Sequence, residues 1–310
     1  MAGQPSSSPH PAARRRAVLE ARSRILAALR SFFLDRGFTE VETPVRIRAP
    51  APEQHIDAER SGERFLRASP ELHMKRLLAE GHERIFQLGP CFRRNERGAH
   101  HHPEYTMLEW YRAGADYTGI LADTKSLILS VAGTVPGSTE LVYQGRPIAL
   151  APLWEWITVA DAFLAHAGWD PTRAFDADRF DVDLVEKVEP ALPREAPVVL
   201  ADYPAGAAAL ARRKPGHPAV AERWELYIGG LELANAYSEL TDPAEQRERF
   251  ETCAWQRGAL GRTIYPLDEA FLAALDRGLP ACAGVALGVD RLVMLLTDSP
   301  TIEDVVAFCE

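Results

Sequence analysis

Apolar residues recur at Val18, Leu19, Ile25, Leu26, Leu29, Phe32 and Phe33, the spacing of one helical face. They predict a helix from about residue 17 to 36, closed by Gly37. In FTEVETPV the pattern changes to alternation with β-branched residues, a strand that Pro44 interrupts or ends. Residues 46–64 are polar and read as loop. Ser69 and Pro70 read as the cap and first position of a helix running through LHMKRLLAEG. RIFQLGPCF and TMLEWYRA predict two strands. From 117 to 221 the periodicity fades, leaving expected helices near 118–132 and 158–167 and no motif. ELYIGGLELANAYSEL predicts a hairpin about Gly229-Gly230. Helices near 243–258 and 268–277 follow, and AGVALGVDRLVMLL predicts a strand running into a helix. Strands close in sequence with helices outside give an α+β class built on an antiparallel sheet.

Composition narrows the picture. Of 310 residues, 46% are hydrophobic and 25% charged, a globular balance. The formal net charge of −9 argues against broad binding of a polyanion, which needs clustered Lys and Arg. Cys91, Cys253, Cys282 and Cys309 form no CxxC pair and read as reduced thiols of a cytoplasmic protein. No apolar run is long enough to span a membrane. The start, MAGQPSSSPHPAARRR, lacks the apolar stretch of a secretory signal; residues 1–16 are expected to form a disordered tail and 17–310 one domain.

Polar residues placed inside apolar strands are the candidate chemistry. Arg93 ends one strand, and Glu109 and Tyr111 lie among Met107, Leu108 and Trp110 on the strand that returns. Such charges meet either a charged ligand or each other across an exposed face. Glu225, Glu232 and Glu239 are spaced seven apart across the Gly229-Gly230 hairpin, with Asn235 and Tyr237 interleaved. Carboxylates brought to one face invite a cation such as Mg²⁺ with substrate phosphates; a solvated face is the alternative. Gly288 permits close backbone approach, and Arg291 falls at a helix start where anions bind, unless Asp290 merely caps that helix and Arg291 is a surface residue. For Ser69-Pro70-Glu71, helix capping is an adequate account. His100, His101 and His102 alternate in direction along an extended segment, which argues against a shared metal.

Taken together, these stretches resemble the catalytic domain of class II aminoacyl-tRNA synthetases of the lysyl type. GFTEVETPV resembles motif 1, which implies a homodimer interface around Pro44. FRRNE through HHHPEYTMLEWY resembles motif 2, GVALGVDRLVML motif 3, and ELANAYSEL the lysyl-specific strand. Lysyl synthetases carry an N-terminal anticodon-reading barrel; here only a short tail precedes motif 1, so a stand-alone catalytic domain is expected. SPELHMKRLLAEG and PEYTMLEWYR are similar to the elongation factor P–(R)-β-lysine ligases, where Ser69 and Ala286 stand in place of Ala and Gly. That resemblance implies (R)-β-lysine as donor, elongation factor P as acceptor, and neither tRNA nor membrane as partner.

Residue by residue, the resemblance implies ATP as substrate and Mg²⁺ held by Glu225 and Glu232. Arg93 would contact the α-phosphate and the donor carboxylate. Tyr105 would stack on adenine, with Arg291 over its other face. Arg94, Asn95, Glu96, His102, Glu232, Leu233, Asn235 and Gly288 would complete the nucleotide site. Ser69, Pro70 and Glu71 would surround the donor's amino end near Ala286. Tyr111 and Glu239 would receive its distal ammonium above Glu109. The chain departs from the lysyl pattern at Asn95, where Glu is usual and the acid falls one later at Glu96, at His102 in place of Asn, and at Ala236 in place of Gly.

Overall fold

The computed structural model describes residues 11–135, 141–151 and 153–309; residues 1–10 of the expected tail lie outside them. Helix α1 (Pro11–Leu34) begins earlier than the apolar pattern, so residues 11–16 are helical rather than tail. Its stripe of Val18, Ile25, Leu29, Phe32 and Phe33 is buried, and Gly37 takes the left-handed conformation (φ 73°) that ends it.

The strand expected in FTEVETPV shrinks to β1 (Thr39–Glu40). Past Val41, the Thr43 amide donates to the side-chain oxygen of Gln87 rather than to a strand carbonyl (3.0 Å), and Pro44 has no N–H to offer. The stretch read as loop holds a small antiparallel sheet of β2 (Arg46–Ile47), β3 (Arg60–Ser61) and β4 (Arg64–Leu66). Strands of two and three residues are too short to show a period.

Helix α2 (Glu71–Ala79) leads to the long pair β5 (Arg84–Phe92) and β6 (Glu104–Ala113), then α3 (Tyr117–Ala132). Between 141 and 214 lie the hairpin β7 (Leu141–Tyr143) and β8 (Arg146–Ile148), then β9 (Glu155–Thr158), α4 (Val159–His166), α5 (Ala177–Asp183), β10 (Val198–Pro204) and β11 (Arg213–Lys214). The hairpin β12 (His217–Ile228) and β13 (Leu231–Ser238) is followed by α6 (Pro243–Ala259), α7 (Glu269–Gly278), β14 (Cys282–Gly288) and α8 (Val289–Leu296).

The main sheet runs β1-β5-β6-β14-β13-β12-β10-β9, with β11 added on β12. Its centre is antiparallel as expected, but β1 joins β5 and β9 joins β10 in parallel, so the sheet is mixed. One face buries Leu108, Trp110, Trp224, Ala236, Val285 and Leu287 under α1, α3 and α8. Period-2 alternation sends the intervening residues to the opposite face, where α2, α6 and α7 pack around their own core of Leu72, Phe250, Phe271 and Leu275. The polar positions of the strands therefore open into the space those three helices leave uncovered.

Candidate active site

Two rows of side chains cross the open face. Register places Ile85, Tyr111, Gly284, Tyr237 and Arg223 side by side on β5, β6, β14, β13 and β12. Two residues along, Gln87, Glu109, Ala286, Asn235 and Glu225 form the second row. The central strand contributes only Gly284 and Ala286, so a depression forms between larger neighbours. A Cβ on Gly284 would stand 2.2 Å from the Tyr111 ring and 2.6 Å from a Glu239 oxygen; glycine is required for those groups to lie there.

One end of the depression is rich in carboxylates. Glu109, 1% exposed, accepts hydrogen bonds from Ser69 Oγ (2.6 Å) and the Tyr111 hydroxyl (3.1 Å). Burial pushes its pKa up to about 8, helped by the negative Glu71 and opposed by those two bonds. Ser69 also accepts from the Glu71 amide (2.9 Å), so one hydroxyl both orders the entry to α2 and reaches into the site; Pro70 occupies the capping position itself, without a side-chain bond. Lys75 is fully buried one turn on, its ammonium 2.5 Å from both Glu71 Oε1 and Glu239 Oε2. Burial pushes the Glu239 carboxyl up to about 7 against the pull of Lys75.

The other end is cationic. Arg93 follows β5, its guanidinium 5.3 Å from the Tyr105 ring centre and 3.4 Å from Glu96; the Tyr105 hydroxyl is tied to the Ala68 carbonyl (2.8 Å). Arg291, in the first turn of α8, donates to the Glu232 carbonyl (2.8 Å) and carboxylate (3.1 Å), to His100 O (3.3 Å), and lies 2.7 Å from His101 Nε2. Asp290 is not the helix cap, a position held by Gly288. It is buried and accepts from Arg22 (2.6 Å) and the Thr106 amide (2.7 Å), which turns Arg291 into the cleft rather than to the surface. Burial and Arg291 lower the pKa of His101, consistent with an imidazole nitrogen accepting from a guanidinium. Arg93 Nε, His102 Nε2 and Asn235 Oδ1 are buried without a hydrogen-bond partner among the described residues, as are atoms of Trp110, Arg112, Asp123 and Gln246 away from the cleft. The first three belong to residues that line it, where a ligand could satisfy them.

One cleft collects Ser69, Glu71, Arg93, Glu96, His102, Tyr105, Glu109, Tyr111, Glu232, Leu233, Asn235, Glu239, Ala286, Gly288 and Arg291. Pro70, Arg94, Asn95 and Glu225 do not line it. Asn95 sits on an exposed left-handed turn (φ 64°), leaving Glu96 as the acid within the cleft. Glu225 lies behind Asn235, gripped by the hydroxyls of Tyr203 (2.5 Å) and Tyr227 (2.8 Å) and by Arg223 (2.6 Å). Sequence reasoning missed Glu53 and Gly284, set Tyr237 among the polar hairpin residues without a role, and weighed His101 only as a metal ligand; all four are on the cleft wall, and Lys75, also missed, lies beneath it. Lys75 was findable: with Leu72 and Leu78 it falls on the buried stripe of α2, where an unpaired lysine is costly.

Glu225 and Glu232 are the carboxylates a hard divalent ion prefers, but only Glu232 opens into the cleft, and Glu225 would join it only by giving up bonds to Tyr203, Tyr227 or Arg223. The Glu232 side chain is recessed in the cleft though 39% open to it, and lost hydration with the negative Glu225 pushes its carboxyl up, against Arg291. Glu189, missed in the sequence, is likewise pushed up to about 7 by burial, its Tyr227 bond opposing and Glu225 adding. Repulsion among carboxylates is what a cation relieves. Among the described residues no group of three such side chains forms a complete metal site, so phosphate oxygens would have to supply the remaining positions.

Comparison with known proteins agrees with this architecture. Residues 11–310 match the family model of tRNA synthetases class II (D, K and N). The chain is 40% identical to the elongation factor P–(R)-beta-lysine ligase of Proteus mirabilis and 38% identical to that of Hamiltonella defensa, in each case over 93% of both chains. It is 39% identical to the lysine–tRNA ligase of Moorella thermoacetica over 94% of this chain, and it spans 64% of that relative's length. By the match of residues 11–310 to the family model, and with the large mixed sheet flanked by helices in agreement, the chain belongs to the class II tRNA synthetases of the D, K and N group.

Proposed function

We propose that this chain activates (R)-β-lysine with ATP and transfers it to a lysine side chain of elongation factor P, a relative's printed activity brought here because the cleft suits it. The observation that carries the reading is the two-ended cleft. Glu71, Glu109 and Glu239 stand at one end and Arg93 and Arg291 at the other, so a substrate with amines at one end and a carboxylate meeting a phosphate at the other matches both.

A carboxylate is already a nucleophile at neutral pH, so attack on the α-phosphate requires alignment rather than a base. Arg93, with an unpartnered Nε, orients the donor carboxylate and the α-phosphate, and Arg291 meets charge developing on phosphate oxygens; such preorganised cations are worth several kcal/mol of barrier. Tyr105 offers its ring to adenine beside Arg93. Mg²⁺ held by Glu225 and Glu232 with the ATP phosphates would supply further charge neutralisation. At the acidic end, Glu239 and Tyr111 take the distal ammonium; Lys75 balances only one of the two carboxylates Glu71 and Glu239, so a donor lacking that charge leaves the second negative charge uncompensated.

The choice of a β-amino acid rests on Ser69 and Ala286. Ser69 Oγ binds Glu109, and Ala286 adds a methyl beside Glu109 in the same row, so both reshape the donor's amino end. A homodimer through the segment around Pro44 and a reducing, cytoplasmic setting belong to the same proposal; Cys91, Cys253, Cys282 and Cys309 are all free thiols, and among the described residues no helix is long and apolar enough to cross a membrane. The identity to lysine–tRNA ligases favours charging of tRNA as the second reading. Intact-mass spectrometry of elongation factor P incubated with this protein, ATP, Mg²⁺ and (R)-β-lysine tests it, beside α-lysine and lysine tRNA. A gain of one lysyl unit on the factor, faster with the β isomer, is expected. Charging of tRNA with no gain on the factor would replace this reading by the second.

A further inference from the structure

An acceptor lysine reaches the cleft as an ammonium, which has no electron pair with which to attack a carbonyl carbon, and none of the residues assigned above removes its proton. We propose that the Glu53 carboxylate accepts that proton and is the general base of the transfer step, an inference that rests on the ligase reading.

Position comes first. Glu53 lines the cleft, and the charged or titratable groups that face it are Arg93, Glu71, Arg223 and Glu96, with Tyr105, Tyr237 and Cys253 beyond. It therefore stands at the junction of the two ends, beside the arginine that holds the carboxyl group being transferred. Availability comes second. Among the described residues Glu53 has no side-chain hydrogen bond or ion pair, whereas its rivals are engaged: Glu71 by Lys75, Glu96 by Arg93, Glu109 by Ser69 and Tyr111, and His101 by Arg291. Third, the group is held in place. The wholly buried Arg257 donates to the carbonyls of Glu53 (2.6 Å) and Ile56 (2.9 Å) and to the Asp57 carboxylate (2.6 Å), so the loop backbone is fixed while the carboxylate stays free. Burial raises the Glu53 carboxyl above its ordinary value, with Arg93 opposing, which makes its ionised form a better proton acceptor than a solvated glutamate.

The step balances as follows. The ammonium gives one proton to Glu53; the freed amine attacks the carbonyl carbon of the aminoacyl-adenylate, and a C–N bond forms. The C–O bond to phosphate breaks with its electron pair going to AMP, and the second proton leaves the nitrogen for the departing phosphate.

The two half-reactions separate this proposal from the one beneath it. In E53Q, ATP–pyrophosphate exchange with (R)-β-lysine should keep the wild-type rate and donor KM, which also shows that the variant folds. Transfer of the preformed adenylate to the lysine of elongation factor P should fall about a hundredfold or more. Hydroxylamine, uncharged at neutral pH, should still be acylated at the wild-type rate. Unchanged transfer to lysine, or equal losses with lysine and hydroxylamine, would overturn the proposal. A raised donor KM in exchange would place Glu53 on the donor's amine and overturn it as well. Absence of exchange by the wild type would instead remove the ligase reading, and this proposal with it.

Discussion

Glu109 is held in an environment that favours its protonated form, and this has a measurable consequence. Its pKa stands near 8 in the folded chain and near the ordinary carboxylate value when unfolded, so between about pH 5 and pH 8 the folded state binds the extra proton. Stability then falls as pH rises through that window, by an amount of a few kcal/mol at about pH 8. The thermal midpoint of the ligand-free protein should drop from pH 5 to 8, and E109Q, neutral throughout, should flatten the slope; an identical slope in the variant would refute the assignment. Gly284 governs the same end by its lack of a side chain. G284A must displace the Tyr111 ring or the Glu239 carboxylate, at about 1–3 kcal/mol. Pyrophosphate exchange should fall at least tenfold while the protein remains folded. Normal exchange in G284A would mean that the donor does not use this end.

At the scale of elements, α8 is aimed by a contact that joins the two ends of the chain. Asp290, 2% exposed, is clasped by Arg22 of α1 and by the Thr106 amide of β6. Breaking a buried pair from one side leaves an uncompensated charge, a loss of about 3–5 kcal/mol. R22M should lower stability by that order in urea unfolding and weaken ATP binding, since Arg291 is next in the chain; a stability change under about 1 kcal/mol would show that the Thr106 amide alone suffices. The elements themselves were largely legible. β5 occupies the stretch RIFQLGPCF, and the alternation in β6, β13 and β14 already separated Glu109, Tyr111, Asn235 and Tyr237 from their apolar neighbours. What stayed hidden depended on register between strands far apart in sequence. Nothing local says that Gly284 lies beside Tyr111 or that Ala286 completes a row with Glu109 and Asn235. The edge strand β9 was hidden because four residues carry no period, and β1, though expected as a strand, carried no sign that it would pair in parallel with β5. Asp290 misled because an acid beside a helix start normally caps it, and its long-range partner Arg22 outweighed that preference.

Across the whole molecule, the cleft is assembled from pieces that only tertiary contacts bring together, and Arg257 joins three of them. From the end of α6 it donates to Thr263 O (2.9 Å) and, about two hundred residues back, to the loop at 53–57. That loop in turn receives the Arg94 amide through Asp57 O (2.7 Å), beside Arg93. One planar guanidinium serves several acceptors at fixed angles, which an ammonium on a flexible stem does not reproduce. R257K keeps the charge that neutralises Asp57 and should leave the fold intact. The loop should nonetheless loosen, its amides at 53–58 exchanging with deuterium at least tenfold faster while those of β6 and β14 keep their protection. Both half-reactions should slow together, because the Asp57 carbonyl of that loop holds the amide of Arg94, the neighbour of Arg93 in the chain. Faster exchange throughout the central sheet would mean that Arg257 supports global folding, and unchanged exchange at 53–58 would mean that the loop is held by other contacts, such as the Tyr265 hydroxyl accepting from the Ala58 amide (2.8 Å).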